Sequence, residues 1–188
     1  LDVRGLAKEY KDLPFDEIGE LIKSEYHEER VVALVILTGL FKNGDKKMQE
    51  KIYKFYLNNT KGINNWDLVD ISAGKIVGEY LWQKDWNVLR SLAASNNIWE
   101  RRIAVISTSA FISRGEFKPT LEIAEMLIND KHDLIHKATG WMLREVGKRD
   151  ERTLCEFLDK YKSVLPRTEL RYAIEKFPES KRIKYLAK

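Results

Sequence analysis

Apolar residues recur every three to four positions along almost the whole chain, and this spacing limits the fold more than any other feature. Three of the stripes are Phe15, Ile18, Leu21 and Ile22; Met48, Ile52, Phe55 and Tyr56; and Leu121, Ala124, Leu127 and Ile128. One face of an α-helix repeats at this spacing, whereas a half-buried strand alternates every second residue. No alternation of period two extends over a useful length, so the pattern predicts an all-α protein.

Proline and glycine divide this pattern into separate helices. A helix can begin at each of the four prolines, which are Pro14, Pro119, Pro166 and Pro178. Gly44 and Gly115 follow helical stretches and suit C-terminal caps. These signals predict helices over 3–11, 15–25, 27–42, 45–59, 66–82, 84–95, 97–113, 118–129, 133–148, 150–163, 167–176 and 178–187.

A short recurring segment predicts how the helices are arranged. Similar segments end in alanines at 33, 104, 138 and 173, with later spacings of 34 and 35 and a first spacing about twice as long. Asp70 fills the missing position, where a carboxylate would replace a small packing residue. Helix pairs of this period stack into an α-solenoid with a concave groove. Because connections are short and no Pro-, Gly- or Ser-rich linker intervenes, we expect one domain over residues 1–188.

Composition indicates the kind of partner and the cellular compartment to expect. The formal net charge is +4, and residues 161–188 carry eight basic against three acidic side chains, which is compatible with a polyanionic partner. The longest apolar run, 31–37, is too short to span a bilayer. The chain begins at Leu1, not Met, so we expect its numbering to start inside a longer natural chain. With no secretory signal and a single cysteine, Cys155, we expect a cytoplasmic protein.

Most catalytic motifs are missing from the sequence. His132 and His136 have the i, i+4 spacing of a zinc helix, but no third ligand is evident, so we expect hydrogen-bonding or surface histidines and no metal. Gly74 and Gly78 predict close helix packing more readily than a phosphate loop.

One aromatic–carboxylate pair stands apart from the other tryptophans. For Trp82, Trp86 and Trp99 we expect packing between helices. Trp66 and Asp70 lie at i and i+4, so an indole face and a carboxylate would lie side by side on one helix.

Four segments, in order along the chain, resemble the AlkD-type DNA alkylation repair proteins, a family of HEAT-like-repeat DNA glycosylases. They are VRGLAK at 3–8, NWDLVD at 65–70, WERRIA at 99–104 and KATGWMLRE at 137–145. The resemblance covers essentially the whole chain and implies a solenoid of HEAT-like repeats. The family usually has another N-terminal helix lining the groove, and the sequence begins after it, so its contacts are not assigned.

The resemblance also implies roles for individual residues. Asp70 would be the catalytic carboxylate, with Trp66 as the aromatic near the scissile nucleotide and Trp141 as the second tryptophan of the site. Arg102 would contact the DNA backbone. Further DNA contacts would come from Arg144, Lys137 and Arg101.

Each of these roles has a structural alternative. An aspartate in a helix is ordinarily solvated or capping, and Arg102 could be an ion-pair partner of Glu100 or of a neighbouring repeat. Trp141 could belong to the core, and Lys137 and Arg144 could be ordinary surface charges.

The activity that the resemblance implies is removal of purines alkylated at N3 or N7 from double-stranded DNA. Such purines already carry positive charge, so their departure needs little protonation, and one carboxylate with tryptophan faces can stabilise the sugar cation. We therefore expect a monofunctional glycosylase that acts as a monomer without metal or other cofactor and without a membrane. The rival hypothesis is a non-catalytic solenoid that binds DNA or a protein through the same groove.

Overall fold

The computed structural model describes residues 2–187, and all regular secondary structure in that range is helical. The helices are α1 (Val3–Glu9), α2 (Phe15–Lys23), α3 (His27–Asn43), α4 (Lys46–Asn58), α5 (Trp66–Ala73), α6 (Glu79–Leu81), α7 (Asn87–Ala93), α8 (Ile98–Ser107), α9 (Ser109–Ile112), α10 (Lys118–Met126), α11 (Asp133–Gly147), α12 (Glu151–Tyr161), α13 (Arg167–Ala173) and α14 (Glu179–Leu186). A 3₁₀ turn spans Thr60–Gly62, and a π turn, Gly74–Gly78, joins α5 to α6. The all-α prediction is confirmed.

The predicted helix starts agree well with the structure. Pro14, Pro166 and Pro178 are the N-caps of α2, α13 and α14, and Pro119 lies in the first turn of α10. The predicted helix over 84–95 is shorter, because the Asp85 side chain accepts a hydrogen bond from the Asn87 amide at 3.0 Å and holds a turn ahead of α7.

The helices form two layers, and the inner layer carries the site. In the inner layer α3, α5, α8, α11 and α13 lie side by side, each in contact with the next. The outer helices, such as α2 and α7, pack against their inner neighbours α3 and α8. Aliphatic side chains including Ile52, Leu68 and Ile103 fill the space between layers and are fully buried. This is the arrangement of the predicted α-solenoid.

The N-caps correct the proposed repeat register. The repeat alanines of α3, α8 and α13 each lie seven residues after the N-cap of their helix and are buried. The fourth, Ala138 of α11, is also buried and lies six residues after its N-cap. The seventh residue after Asn65, the N-cap of α5, is Ser72, which is also buried. Ser72 therefore takes the alanine position, and Asp70 does not.

Asp70 belongs instead to a row that crosses the inner layer. Val31, Asp70, Arg102, Lys137 and Arg171 each lie five residues after the N-cap of their helix. The contact between α5 and α8 brings the members of this row on those two helices together. An aspartate on α5 thus meets an arginine on α8 although 32 residues separate them.

Glycines permit the closest helix approaches. A Cβ at Gly78 would lie 2.9 Å from the Cβ of Ala110, and one at Gly74 would collide with the Ser109 hydroxyl, which confirms the packing role expected for both. These two glycines bracket the π turn, which the periodicity did not predict. Within residues 2–187, no helix is long and apolar enough to serve as a membrane span.

Candidate active site

Side chains from α5, α8, α11 and α13 line an open pocket of about 480 Å³. Its lining residues are Trp66, Asp70, Arg102, Leu134, Lys137, Trp141, Arg144 and Tyr172. Six of the seven residues singled out in the sequence therefore lie at one place, and Arg101 is the exception. We call this cavity the site pocket.

Asp70 and Arg102 form the centre of the site pocket. The Arg102 Nε donates to Asp70 Oδ1 at 2.9 Å, and Nη2 donates to Oδ2 at 2.8 Å. Nη1 donates to the Leu134 carbonyl at 2.6 Å, so one guanidinium joins α5, α8 and α11. The Arg102 side chain is 6% exposed and that of Asp70 is 15% exposed. The carboxylate is held in a fixed orientation and still reaches the pocket.

The tryptophans supply the apolar walls. Trp66 is the first residue of α5, whose N-cap Asn65 accepts a hydrogen bond from the Trp66 amide at 2.7 Å. Trp66 is 52% exposed, whereas Trp141 is half-buried and packs against the main core. Trp82, Trp86 and Trp99 also pack against that core, as expected. Trp66 therefore leaves about half of its surface open at the site pocket.

The two remaining cations of the pocket are each paired with an exposed carboxylate. Lys137 contacts Asp133 one turn earlier at 2.6 Å, and this carboxylate raises the pKa of the Lys137 ammonium. Arg144 pairs with Glu175, which follows α13. Both partners are partly solvated, so a phosphate can compete for these cations at modest cost.

Arg101 points away from the site pocket. Its Nε contacts Asp130 at 2.6 Å, and its Nη1 donates to the carbonyls of Ser95 and Asn96 in the preceding loop. Arg30, at the equivalent position of α3, donates in the same way to the loop before its own helix. Arg101 therefore closes a loop that recurs in the repeats, and the structure does not bring it to the site.

Three residues near the site were not singled out in the sequence. Tyr172 and Leu134 line the pocket, and Glu175 holds Arg144. Tyr172 lies in the repeat segment 169–173, which was the one signal that could have indicated it. Glu175 carried no signal, because its partner lies 31 residues away.

The histidines of α11 have structural partners. His132 caps the helix by accepting a hydrogen bond from the Leu134 amide at 3.2 Å, and His136 contacts the Asp130 carbonyl at 2.7 Å. Over the part of the chain that the structure describes, no three His, Cys, Asp or Glu side chains are grouped as a metal site.

Comparison with solved structures agrees with the all-helical fold. Solved structures similar to the chain include a predicted DNA alkylation repair enzyme from Enterococcus faecalis, with a TM-score of 0.69, 17% identity and coverage of 94% of this chain and 83% of that one. AlkD2 from Streptococcus mutans matches with a TM-score of 0.65, 19% identity and coverage of 94% and 88%. The protein smu.31 from Streptococcus mutans UA159 matches with a TM-score of 0.62 and 18% identity, and the match covers 94% of this chain and 91% of that one.

The sequence comparison identifies the family. No curated protein matches the chain. The profile of the family described as DNA alkylation repair enzyme matches residues 2–177, which is nearly the whole chain. The chain therefore belongs to the DNA alkylation repair enzyme family.

Proposed function

We propose that this protein is a monofunctional DNA glycosylase that hydrolyses the N-glycosidic bond of N3- or N7-alkylated purines in duplex DNA. The observation that carries the proposal is the meeting of one oriented carboxylate, Asp70, with Trp66 and Trp141 in a pocket edged by Lys137 and Arg144. These groups provide charge stabilisation, apolar walls and phosphate contacts at one place.

The chemistry needs few groups because the substrate carries its own charge. The bond between C1′ and the purine nitrogen breaks, and its electron pair leaves with the base and neutralises the purinium. The sugar becomes an oxocarbenium ion, which the Asp70 carboxylate and the indole faces stabilise. Water then adds to C1′ and gives up a proton, which Asp70 accepts and passes to solvent.

Arg102 serves this reaction as a positioning residue. Three of its five N–H donors already engage Asp70 and Leu134, and its side chain is almost fully buried. The bidentate pair leaves the other carboxylate lone pairs free to face the sugar. We assign the phosphate contacts to Lys137 and Arg144, whose side chains are more exposed. We further propose that the protein acts as a monomer.

Release of 7-methylguanine from methylated duplex DNA tests the proposal. We expect release by the native protein and a fall of about 10²–10³-fold in Asp70→Asn, the size seen when one transition-state stabiliser is lost. Asp67→Asn is the matched control, because Asp67 lies on the same helix but contacts His27 at 2.7 Å outside the pocket. Uracil, a neutral lesion, is expected to be a poor substrate. Unchanged release by Asp70→Asn would refute the assignment.

One observation favours the second candidate, a non-catalytic DNA-binding solenoid. Arg102 contacts both oxygens of Asp70, and this neutralises a carboxylate that would otherwise repel phosphates. Such a protein would bind duplex DNA with steep salt dependence and release no base. Binding without release by the native protein would favour it over the glycosylase.

A further inference from the structure

A second cavity of about 610 Å³ lies between α1, α2 and α3 and shares no residue with the site pocket. Its floor is apolar and consists of Leu6, Tyr10, Leu13, Leu21 and Val32. Tyr10 is 48% exposed, so the floor is open to solvent. We call this cavity the acidic groove because of the residues on its rim.

The rim of the acidic groove carries four exposed glutamates, Glu17, Glu20, Glu28 and Glu29. Glu20 pairs with Lys23 at 2.9 Å, whereas the other three make no ion pair with any residue in the 2–187 range. No lysine or arginine is among the described residues that line the groove. An apolar floor with a net negative rim, three of whose four glutamates make no ion pair with a described residue, is therefore exposed at one end of the solenoid.

Helix stability explains only part of this arrangement. Glu17 lies in the first turn of α2, and Glu28 and Glu29 lie in the first turn of α3, where the helix dipole favours acidic residues. Glu20 is outside the first turn of α2, and the dipole does not require the four carboxylates to surround one apolar floor. Exposed apolar area with a polar rim is typical of an interaction surface.

We propose that the acidic groove docks a basic amphipathic helix of another protein. The negative rim repels DNA phosphates and attracts lysine and arginine, and the floor accepts apolar side chains spaced one helical turn apart. Within the described residues the groove is lined by helices and offers no strand edge, which favours a docked helix, since a helix satisfies its own backbone hydrogen bonds.

A second copy of this chain fits less well. Its surplus positive charge lies in residues 161–188, and among the described residues of α14 only Ile183 is a large exposed hydrophobic. One isoleucine does not fill a floor made of five side chains. We therefore assign the groove to a different protein, independently of the proposed glycosylase activity. Loss of peptide binding in a longer natural chain that includes residues ahead of Leu1 would assign the groove to the chain's own N-terminal segment and would overturn the proposal.

Fluorescence anisotropy with model peptides tests the docking. The probe is a labelled Leu/Lys peptide with leucines at helical spacing. Its controls are an isomer of the same composition with leucines at every second position and an analogue with Glu in place of Lys. We expect saturable binding of the helical Leu/Lys peptide alone. Equal binding of the isomer would mean charge attraction only and would overturn the proposal, as would absence of binding.

Variants locate the binding. Glu28→Lys with Glu29→Lys should weaken binding about tenfold or more, because attraction becomes repulsion. Tyr10→Ser and the milder Glu17→Gln with Glu20→Gln should also weaken it without disturbing a buried group. The control is Glu125→Lys with Glu156→Lys, which reverses two exposed charges outside the groove. The proposal would be contradicted if the control variant weakened peptide binding as much as the groove variants do. It would also be contradicted if the protein formed a concentration-dependent dimer that the Glu28→Lys, Glu29→Lys double variant dissociates.

Discussion

Single side chains at the site are held by charge pairs whose burial decides their importance. The Asp70–Arg102 pair is largely buried and spans two helices, whereas the pair of Arg152 with Glu156 is exposed along one helix. Removing one partner of a buried pair leaves an uncompensated charge, while an exposed pair contributes little. The same bond type therefore has different consequences at the two places.

Arg102→Met is expected to lower the free energy of unfolding by about 3–5 kcal/mol, because Asp70 loses its partner and the Leu134 carbonyl loses a donor. Urea denaturation measures this loss. Asp70→Asn together with Arg102→Met should recover part of it. Arg152→Met is the control and should leave the midpoint in place. Equal midpoints for the two arginine variants would show that the buried pair has no structural role.

The buried Glu169 carboxyl is expected to make the free energy of unfolding depend on pH. This carboxyl is fully buried, and neither oxygen bonds to a described residue. Burial, followed by the nearby Asp130 charge, raises its pKa from 4.5 to about 8. Between about pH 4.5 and pH 8 the folded state therefore keeps a proton that the unfolded state has already lost. The free energy of unfolding falls as pH rises through this range.

Below the unfolded pKa, both states are protonated and Glu169 contributes no slope; between the two pKa values the expected slope is at most about 1.4 kcal/mol per pH unit. Glu169→Gln should remove this component. The measurement is urea denaturation of both proteins at about pH 5 and about pH 8. If the two proteins lose the same stability between these pH values, Glu169 is not the titrating group.

Between helices, the contact of α11 with α13 sets the shape of the site pocket. A Cβ at Gly140 would lie 2.5 Å from the Glu169 carbonyl oxygen and 2.6 Å from the Tyr172 Cβ. Gly140→Ala must therefore push α13 away and move Tyr172, with an expected loss of about 1–3 kcal/mol. Gly39→Ala is the matched control, since nothing lies within 4 Å of its added Cβ.

In the control, alanine favours the helix, so Gly39→Ala should stabilise the protein by about 0.5–1 kcal/mol. Thermal or urea denaturation of the two variants measures both effects. A loss in Gly39→Ala as large as that in Gly140→Ala would contradict the packing explanation.

Breaking the Arg144–Glu175 pair is expected to strengthen DNA binding, whereas most substitutions at a binding site weaken it. Glu175→Gln frees Arg144 for a phosphate and removes a negative charge beside the site pocket. Affinity for duplex DNA should rise, and the slope of log K against log salt should steepen by about 0.9, the value for one more neutralised phosphate. Glu156→Gln, on an exposed pair outside the pocket, is the control. Weaker binding by Glu175→Gln would show that Glu175 itself supports the DNA-binding surface.

Over the full solenoid, local sequence signals predicted the helices well, and the arrangement of side chains between helices less well. Proline positions and apolar spacing predict helix starts because both act within one turn. The match to the family predicts that Trp66, Asp70, Arg102 and Trp141 meet. Short-range patterns do not show which helices become neighbours. They therefore did not predict the Asp70–Arg102 ion pair, the contact of Arg101 with Asp130 or the pairing of Glu175 with Arg144.

Binding of a transition-state mimic tests most directly whether Asp70 stabilises a sugar cation. A duplex with a cationic pyrrolidine abasic analogue resembles the oxocarbenium ion, and one with a neutral tetrahydrofuran analogue does not. We predict that the native protein and Asp67→Asn bind the cationic duplex more tightly than the neutral one, and that Asp70→Asn loses this preference. Equal affinity of the native protein for both duplexes, or a preference that survives in Asp70→Asn, would contradict this role of Asp70.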